Sequence, residues 1–289
     1  MRPANPEPAA WPPVWQVVVL SLLLFGLYLP TLTHLVSQWW NNSNFSHGFI
    51  VPLFSGFVIW QERSRLARVN LQPSWSGLVL VGLGLGVLVV GQLGAELFLS
   101  RFSLLIVLAG LTVLLLGWKF FRAILFPWAF LLLMIPPPAI IFNQITFPLQ
   151  LLTSKVASTI LLWMGVPVFR EGNLISLPGI PKPLEVAEAC SGIRSLMSLT
   201  TLAVIYGYLM ERRISVRVLL ALAAVPIAVA ANSLRVVGTG LLVEYWDPDK
   251  ALGFFHEFQG WLVFVASLVM LYLLHRVICI LWPEEGADA

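Results

Sequence analysis

Apolar runs of about 17 to 25 residues recur along this chain, broken by short stretches rich in Pro, Gly and charge, and none shows the alternation of a barrel strand. Runs of that length, coiled as helices, match the thickness of a bilayer core. The pattern predicts eight spans, at about 14–34, 46–62, 76–96, 102–118, 121–140, 190–210, 218–243 and 257–280. Two stretches depart from it. Residues 139–165, "AIIFNQITFPLQLLTSKVASTILLWMG", follow the helix-breaking Pro136, Pro137 and Pro138 and carry Pro148 and Lys155. A crossing there would invert the side of every later charge run, so the segment reads as an interfacial or re-entrant helix on the outer face. Residues 166–189, "VPVFREGNLISLPGIPKPLEVAEA", hold short β-favouring pieces separated by turn signals, which predicts a small extracytoplasmic hairpin. The expected fold is an all-α polytopic transmembrane bundle forming a single membrane domain over 1–289.

Composition narrows the solvent. With 58% hydrophobic and 11% charged residues and a mean hydropathy of +0.87, too little polar surface exists to cover a soluble globule of this length. The net charge of +3 comes without any basic cluster longer than three residues, which argues for lipid-facing loops and against nucleic acid as a partner. No small-residue cleavage site follows the first apolar run, so it is expected to be a retained span. Arg63, Arg65 and Arg68, then Lys119 and Arg122, then Arg212, Arg213 and Arg217, and finally Arg276 all fall on one side if the chain starts in the cytoplasm.

This topology carries three unusual residues to one depth. Cys190, one of two cysteines, opens the sixth expected span at its outer end. Arg235 lies eighteen residues beyond Arg217, about 27 Å along a helix, and so reaches the outer margin. His256 starts the last span from that same margin. A neighbouring imidazole or guanidinium lowers a thiol's pKa and makes it a nucleophile. His256 would return a proton to a leaving amine, and Arg235 would hold either the thiolate or the oxyanion of a tetrahedral intermediate. Each residue alone has a plainer reading: a packed thiol, an arginine paired with Glu188 or Glu244, an interfacial histidine as expected for His34 and His275. Their coincidence favours acyl transfer on a peptide bond.

Other chemistries find no matching pattern. The four His and two Cys lack zinc-ligand spacing, so neither a metal nor another cofactor is expected. No G-x-S-x-G elbow supports a serine nucleophile. The glycines of "GLVLVGLGLGVLVVGQLG", residues 77–94, read as close helix packing. Cys279 is expected on the opposite face from Cys190, which argues against a disulfide between them. His47, in "NFSHGFIVPL", falls at the outer start of the second span, either as a substrate-contacting or supporting residue or as an interfacial anchor.

Taken together, "EACSGIRSL", "ANSLRVVGTG" and "FHEFQGWLVF" resemble the exosortase and archaeosortase family of membrane transpeptidases, a likeness running over some four fifths of the chain from "NFSHGFIVPL" to "LHRVI". The resemblance implies that Cys190 is the nucleophile, with Arg235 and His256 its catalytic partners; His47, Glu188, Ser191 and Asn232 are expected to bind substrate or support the site. It further implies an enzyme of the bacterial inner membrane, acting on its extracytoplasmic face. Its partners would be membrane-anchored protein substrates whose C-terminal sorting signal holds a Pro-Glu-Pro type motif, a span and a basic tail. The chain ends at "PEEGADA", so exopolysaccharide-locus proteins acting with it are expected as separate chains. The competing expectation is a non-catalytic membrane component of exopolysaccharide export or assembly.

Overall fold

The apolar runs form helices. The computed structural model describes residues 11–178, 183–185, 192–246 and 254–283, side chains excepted at 185, 192–195 and 254–259. Its helices are α1 (Val14–Asn41), α2 (Ile50–Gln61), α3 (Arg63–Leu66), α4 (Ser76–Leu93), α5 (Leu97–Leu116), α6 (Trp118–Ala123) and α7 (Leu125–Phe130). They continue as α8 (Ala139–Trp163), α9 (Gly192–Met210), α10 (Ile214–Tyr245) and α11 (Phe254–Leu281). Short 3-10 turns cover Ser43–Phe49 and Leu131–Met134. This is the all-α polytopic class that the apolar pattern predicts.

The eight expected spans are matched in part, α9 covering 192–210 of the expected 190–210. Among the described residues six helices are long and apolar enough to cross a membrane by length and composition, lying in α1, α4, α5, α8, α10 and α11. The expected span 46–62 is a 3-10 turn followed by a helix of 12 residues. The expected span 121–140 breaks at Ile124, where φ is −101° and ψ 12°. A new helix starts there with Pro127 in its first turn, where a missing N–H costs no intrahelical hydrogen bond. Conversely, the segment expected to be interfacial or re-entrant is one continuous 25-residue helix, α8, which carries Pro148 in its interior. Hydrogen bonding inside a long helix satisfies the backbone in lipid more fully than a broken loop does.

Chain contacts fall into two compact units, Met1–Pro138 and Ala139–Ala289. In the first, α4 and α5 pack backbone to backbone. A Cβ added at Gly77 would stand 2.2 Å from Leu114 N, at Gly84 2.6 Å from Val107 Cγ2 and at Gly91 2.7 Å from Ser100 N. These glycines repeat every seven residues, so one stripe of α4 faces α5 throughout, while Gly82 and Gly86 meet nothing within 4 Å. Gly84→Leu is therefore expected to cost about 1–3 kcal/mol of stability by forcing the pair apart, and Gly82→Leu almost nothing. Thermal unfolding of the two variants in detergent checks this. Gly117 has φ +90° and lies against the Gln72 carbonyl, leaving no room for a side chain where α5 turns into α6.

In the second unit, α8 ends where Gly165, at φ +83°, lets Val166 N–H donate back to the Leu161 carbonyl at 3.0 Å. The chain then enters the predicted hairpin, which is extended to a three-stranded antiparallel sheet: β1 (Phe169–Glu171), β2 (Leu174–Ser176) and β3 (Leu184–Glu185). Gly172, at φ +63°, opens the two-residue turn between β1 and β2. The Gly172 carbonyl accepts from Ser154 Oγ of α8 at 2.8 Å. Ile175 and Leu184 bury against Ala157 and Leu161 of α8 and Val236 and Val243 of α10. A second core joins Leu199 and Ala203 of α9, Leu220 and Ala224 of α10 and Leu271 of α11. The sheet is thus clamped to the C-terminal half of α10, which carries Arg235.

Candidate active site

Arg235 is half-buried on α10, with Asn232 one turn before it and Thr239 one turn after. Its guanidinium reaches α11: a Cβ placed on Gly260 would stand 3.7 Å from both Nη1 and Nη2. Gly260 lies four residues after His256, one turn along the same face of α11. The start of α9 comes to the same end. Residues 211–213 turn the chain back between α9 and α10, and Leu196 of α9 shares a cavity wall with Val225, Ala228 and Asn232 of α10. The N-terminus of α9, the Arg235 level of α10 and the first turns of α11 therefore lie at one end of the helical unit. Cys190, Ser191 and Glu188 fall outside the described residues, as does the side chain of His256.

Residues that sequence reasoning missed stand beside Asn232. A cavity of about 20 Å³, room for a single water, is lined by Thr146, Gln150 and Thr153 of α8 together with Leu196 and Asn232. The signal was present: 146, 150 and 153 follow a four-then-three spacing that puts three polar groups on one face of an apolar helix. Reading 139–165 as an interfacial segment left that stripe pointing nowhere in particular.

The opposite end of the same helices is held by charge. Glu211 is buried, accepts from the backbone N–H groups of Arg212 and Arg213 at 2.7 and 2.8 Å, and pairs with Arg213 Nη2 at 2.9 Å. The Arg213 side chain, opposed by burial and helped by the two N–H donors, pulls its carboxyl down to about 2. His275, expected to be interfacial, is instead 7% exposed, with Nδ1 2.8 Å from the Tyr206 hydroxyl and Nε2 3.5 Å from Glu211. The correction has a physical reason: at that depth α9 and α11 close around the buried carboxylate, which no spacing within α11 reveals. Glu211, His275 and Cys279 place donor atoms within 4.8 Å of one another. Arg213 already bonds both carboxylate oxygens and reaches the Cys279 thiol at 3.9 Å, filling the positions a cation would need. Cys279 is a free thiol.

His47 belongs to the first unit. It is buried, and its Nε2 lies 3.2 Å from the Leu133 carbonyl. Gly48 beside it packs under the Trp39 indole, which donates to the Met134 carbonyl at 3.0 Å. The "SHGF" residues thereby tie the Ser43–Phe49 turn to the Leu131–Met134 turn, through contacts that require a glycine at 48.

These features define a multi-pass α-helical membrane protein that gathers polar residues at one end of its second helical unit. The chain matches the family model described as transmembrane exosortase (Exosortase_EpsH) over residues 39–273. It belongs to the exosortase family. No curated protein and no solved structure matches it.

Proposed function

We propose that this exosortase-family protein is a cysteine transpeptidase of the bacterial inner membrane, cleaving the C-terminal sorting signal of membrane-anchored proteins on the extracytoplasmic side. The observation that carries the reading is the Arg235 guanidinium seated against Gly260, one turn from His256. Cys190 lies two positions before Gly192, the first described residue of α9, and a helix N-terminus favours a thiolate.

In the proposed reaction the Cys190 thiolate attacks the scissile carbonyl carbon, forming a C–S bond and an oxyanion. Arg235 holds the thiolate or that oxyanion. Collapse breaks the C–N bond, and the departing amine takes a proton from His256. An acceptor nucleophile or water then attacks the thioester and loses its proton to His256, and the C–S bond breaks to return the Cys190 thiolate. Asn232, Ser191 and Glu188 support the site or the substrate strand, and His47 positions the turns of the first unit. An outward-facing site rests on the positive-inside pattern of the basic residues. One crossing is needed between the cytoplasmic Arg122 and the start of α9, and α8 is long enough to supply it. The 125–134 stretch, about 15 Å long, then need not cross.

Co-expression with a tagged substrate ending in a Pro-Glu-Pro motif, a span and a basic tail tests the reading. Wild type is expected to shorten the substrate, and Cys190→Ser, Arg235→Ala and His256→Ala to leave it intact. Wild-type cleavage by Cys190→Ser would leave the thiol as packing and return the protein to the non-catalytic class.

A further inference from the structure

The first unit buries a charge that its own fold leaves partly unsatisfied. Arg101, on α5, is 3% exposed, and among the described residues its Nε has no hydrogen-bond partner. The nearby acid, Glu96, caps α5 by accepting from Phe98 N–H at 3.3 Å and makes no ion pair with Arg101. A guanidinium in that setting is costly, and in a membrane protein it ordinarily faces a partner or a polar cavity.

Arg101 lines such a cavity. Its volume is about 190 Å³, and Thr31 and His34 of α1, Gln92 of α4 and Ser100 of α5 share the wall. Thr31, His34 and Gln92 add hydroxyl, imidazole and amide donors to the five N–H groups of the arginine, a set suited to an anion with several oxygens, while the Ser100 hydroxyl donates to the Glu96 carbonyl. The cavity stands where α4 ends at Leu93 and α5 begins at Leu97, both of them apolar enough to span. That places it at the level where a bilayer's hydrocarbon gives way to headgroups. Leu27, Leu93 and Leu97 are exposed beside it and offer apolar surface for acyl chains.

We infer that this cavity binds a phosphate group, presented by the headgroup of an anionic membrane lipid and held by Arg101. Every residue that builds the site belongs to the first unit. The volume is about nine times that of the single-water cavity beside Asn232, room for a phosphate with its ester carbons.

The test uses delipidated full-length protein in detergent. The probes are dioctanoyl phosphatidylglycerol, dioctanoylglycerol as the same chains without phosphate, and inorganic phosphate. Thermal midpoint and native mass spectrometry are the readouts. The phosphatidylglycerol is expected to raise the midpoint and to appear as a bound adduct, and dioctanoylglycerol to do neither. Arg101→Gln should weaken the adduct at least about tenfold. Thr31→Phe fills the cavity from its half-exposed rim and leaves the arginine in place, so it keeps the test valid if Arg101→Gln fails to fold; the same loss is expected. An equal effect of inorganic phosphate at the same concentration would overturn the lipid as the source and leave the phosphate site standing. No response to either phosphate probe, or an adduct that survives both substitutions, would overturn the site.

Discussion

Gly260→Leu is expected to slow substrate cleavage by roughly 10²-fold or more, while Gly260→Ala stays close to wild type. The asymmetry follows from the contact at this position. A Cβ on Gly260 would meet the Arg235 nitrogens at 3.7 Å, an ordinary van der Waals approach that displaces nothing. The two further methyls of leucine extend into the volume the guanidinium fills, so either the arginine or helix α11 must move. Donors that stabilise a developing charge act only from their prearranged positions, and a displacement of about 1 Å is enough to lose most of the effect. The substitution leaves Cys190, Arg235 and His256 chemically intact, so it reads the geometry and not the inventory. Substrate shortening over time, normalised to the amount of folded enzyme, is the measurement. A wild-type rate for Gly260→Leu would mean that Arg235 does not act from the place it occupies.

The second large effect concerns stability at the other end of the same helices. Glu211→Leu should lower the stability of the detergent-solubilised protein by about 1.5–3 kcal/mol, because it removes the buried carboxylate that the Arg212 and Arg213 N–H groups and the half-buried Arg213 side chain bond. The same pair makes the protein acid-sensitive in a defined window. In the folded state the Glu211 carboxyl titrates at about 2, against an ordinary 4.5 when unfolded. Between those values the unfolded chain binds the proton more readily, so stability is full above about 4.5 and falls as the pH drops toward 2. The loss amounts to about 3 kcal/mol. A thermal midpoint that falls between pH 5 and pH 2.5 in wild type, and does so less in Glu211→Leu, is the expected result. Parallel slopes in the two proteins would show that Glu211 carries no such linkage.

Several features of this molecule were legible before any coordinates. Long apolar runs with few charges leave helices as the backbone's refuge in lipid, which made the fold class readable. The turn signals around Gly172 and Asn173 announced the hairpin, and the small residues of 77–94 announced close packing, which Gly77, Gly84 and Gly91 provide against α5. Less legible were the breaks. The apolar content of 121–140 suffices for a span, yet the backbone stops at Ile124, and hydropathy does not register a helix boundary inside an apolar run. Residues 139–165 show the converse, since Pro148 and Lys155 suggested interruption where a continuous helix tolerates both.

By itself, then, the sequence determined that this is a helical membrane protein, and its motifs singled out the cysteine, arginine and histidine as chemically unusual. Those conclusions follow from local quantities: hydropathy over a window, residue type and spacing along one helix. Only the tertiary structure decided that Arg235 lies against Gly260, that Asn232 shares a cavity with a polar stripe on α8, and that His275 joins Glu211 at the far end. It alone decided that Arg101 is buried facing a cavity. Each of these is a contact between residues tens of positions apart, fixed by which faces of neighbouring helices pack together, and a periodicity of 3.6 residues reports the face of one helix but not the identity of the helix it meets.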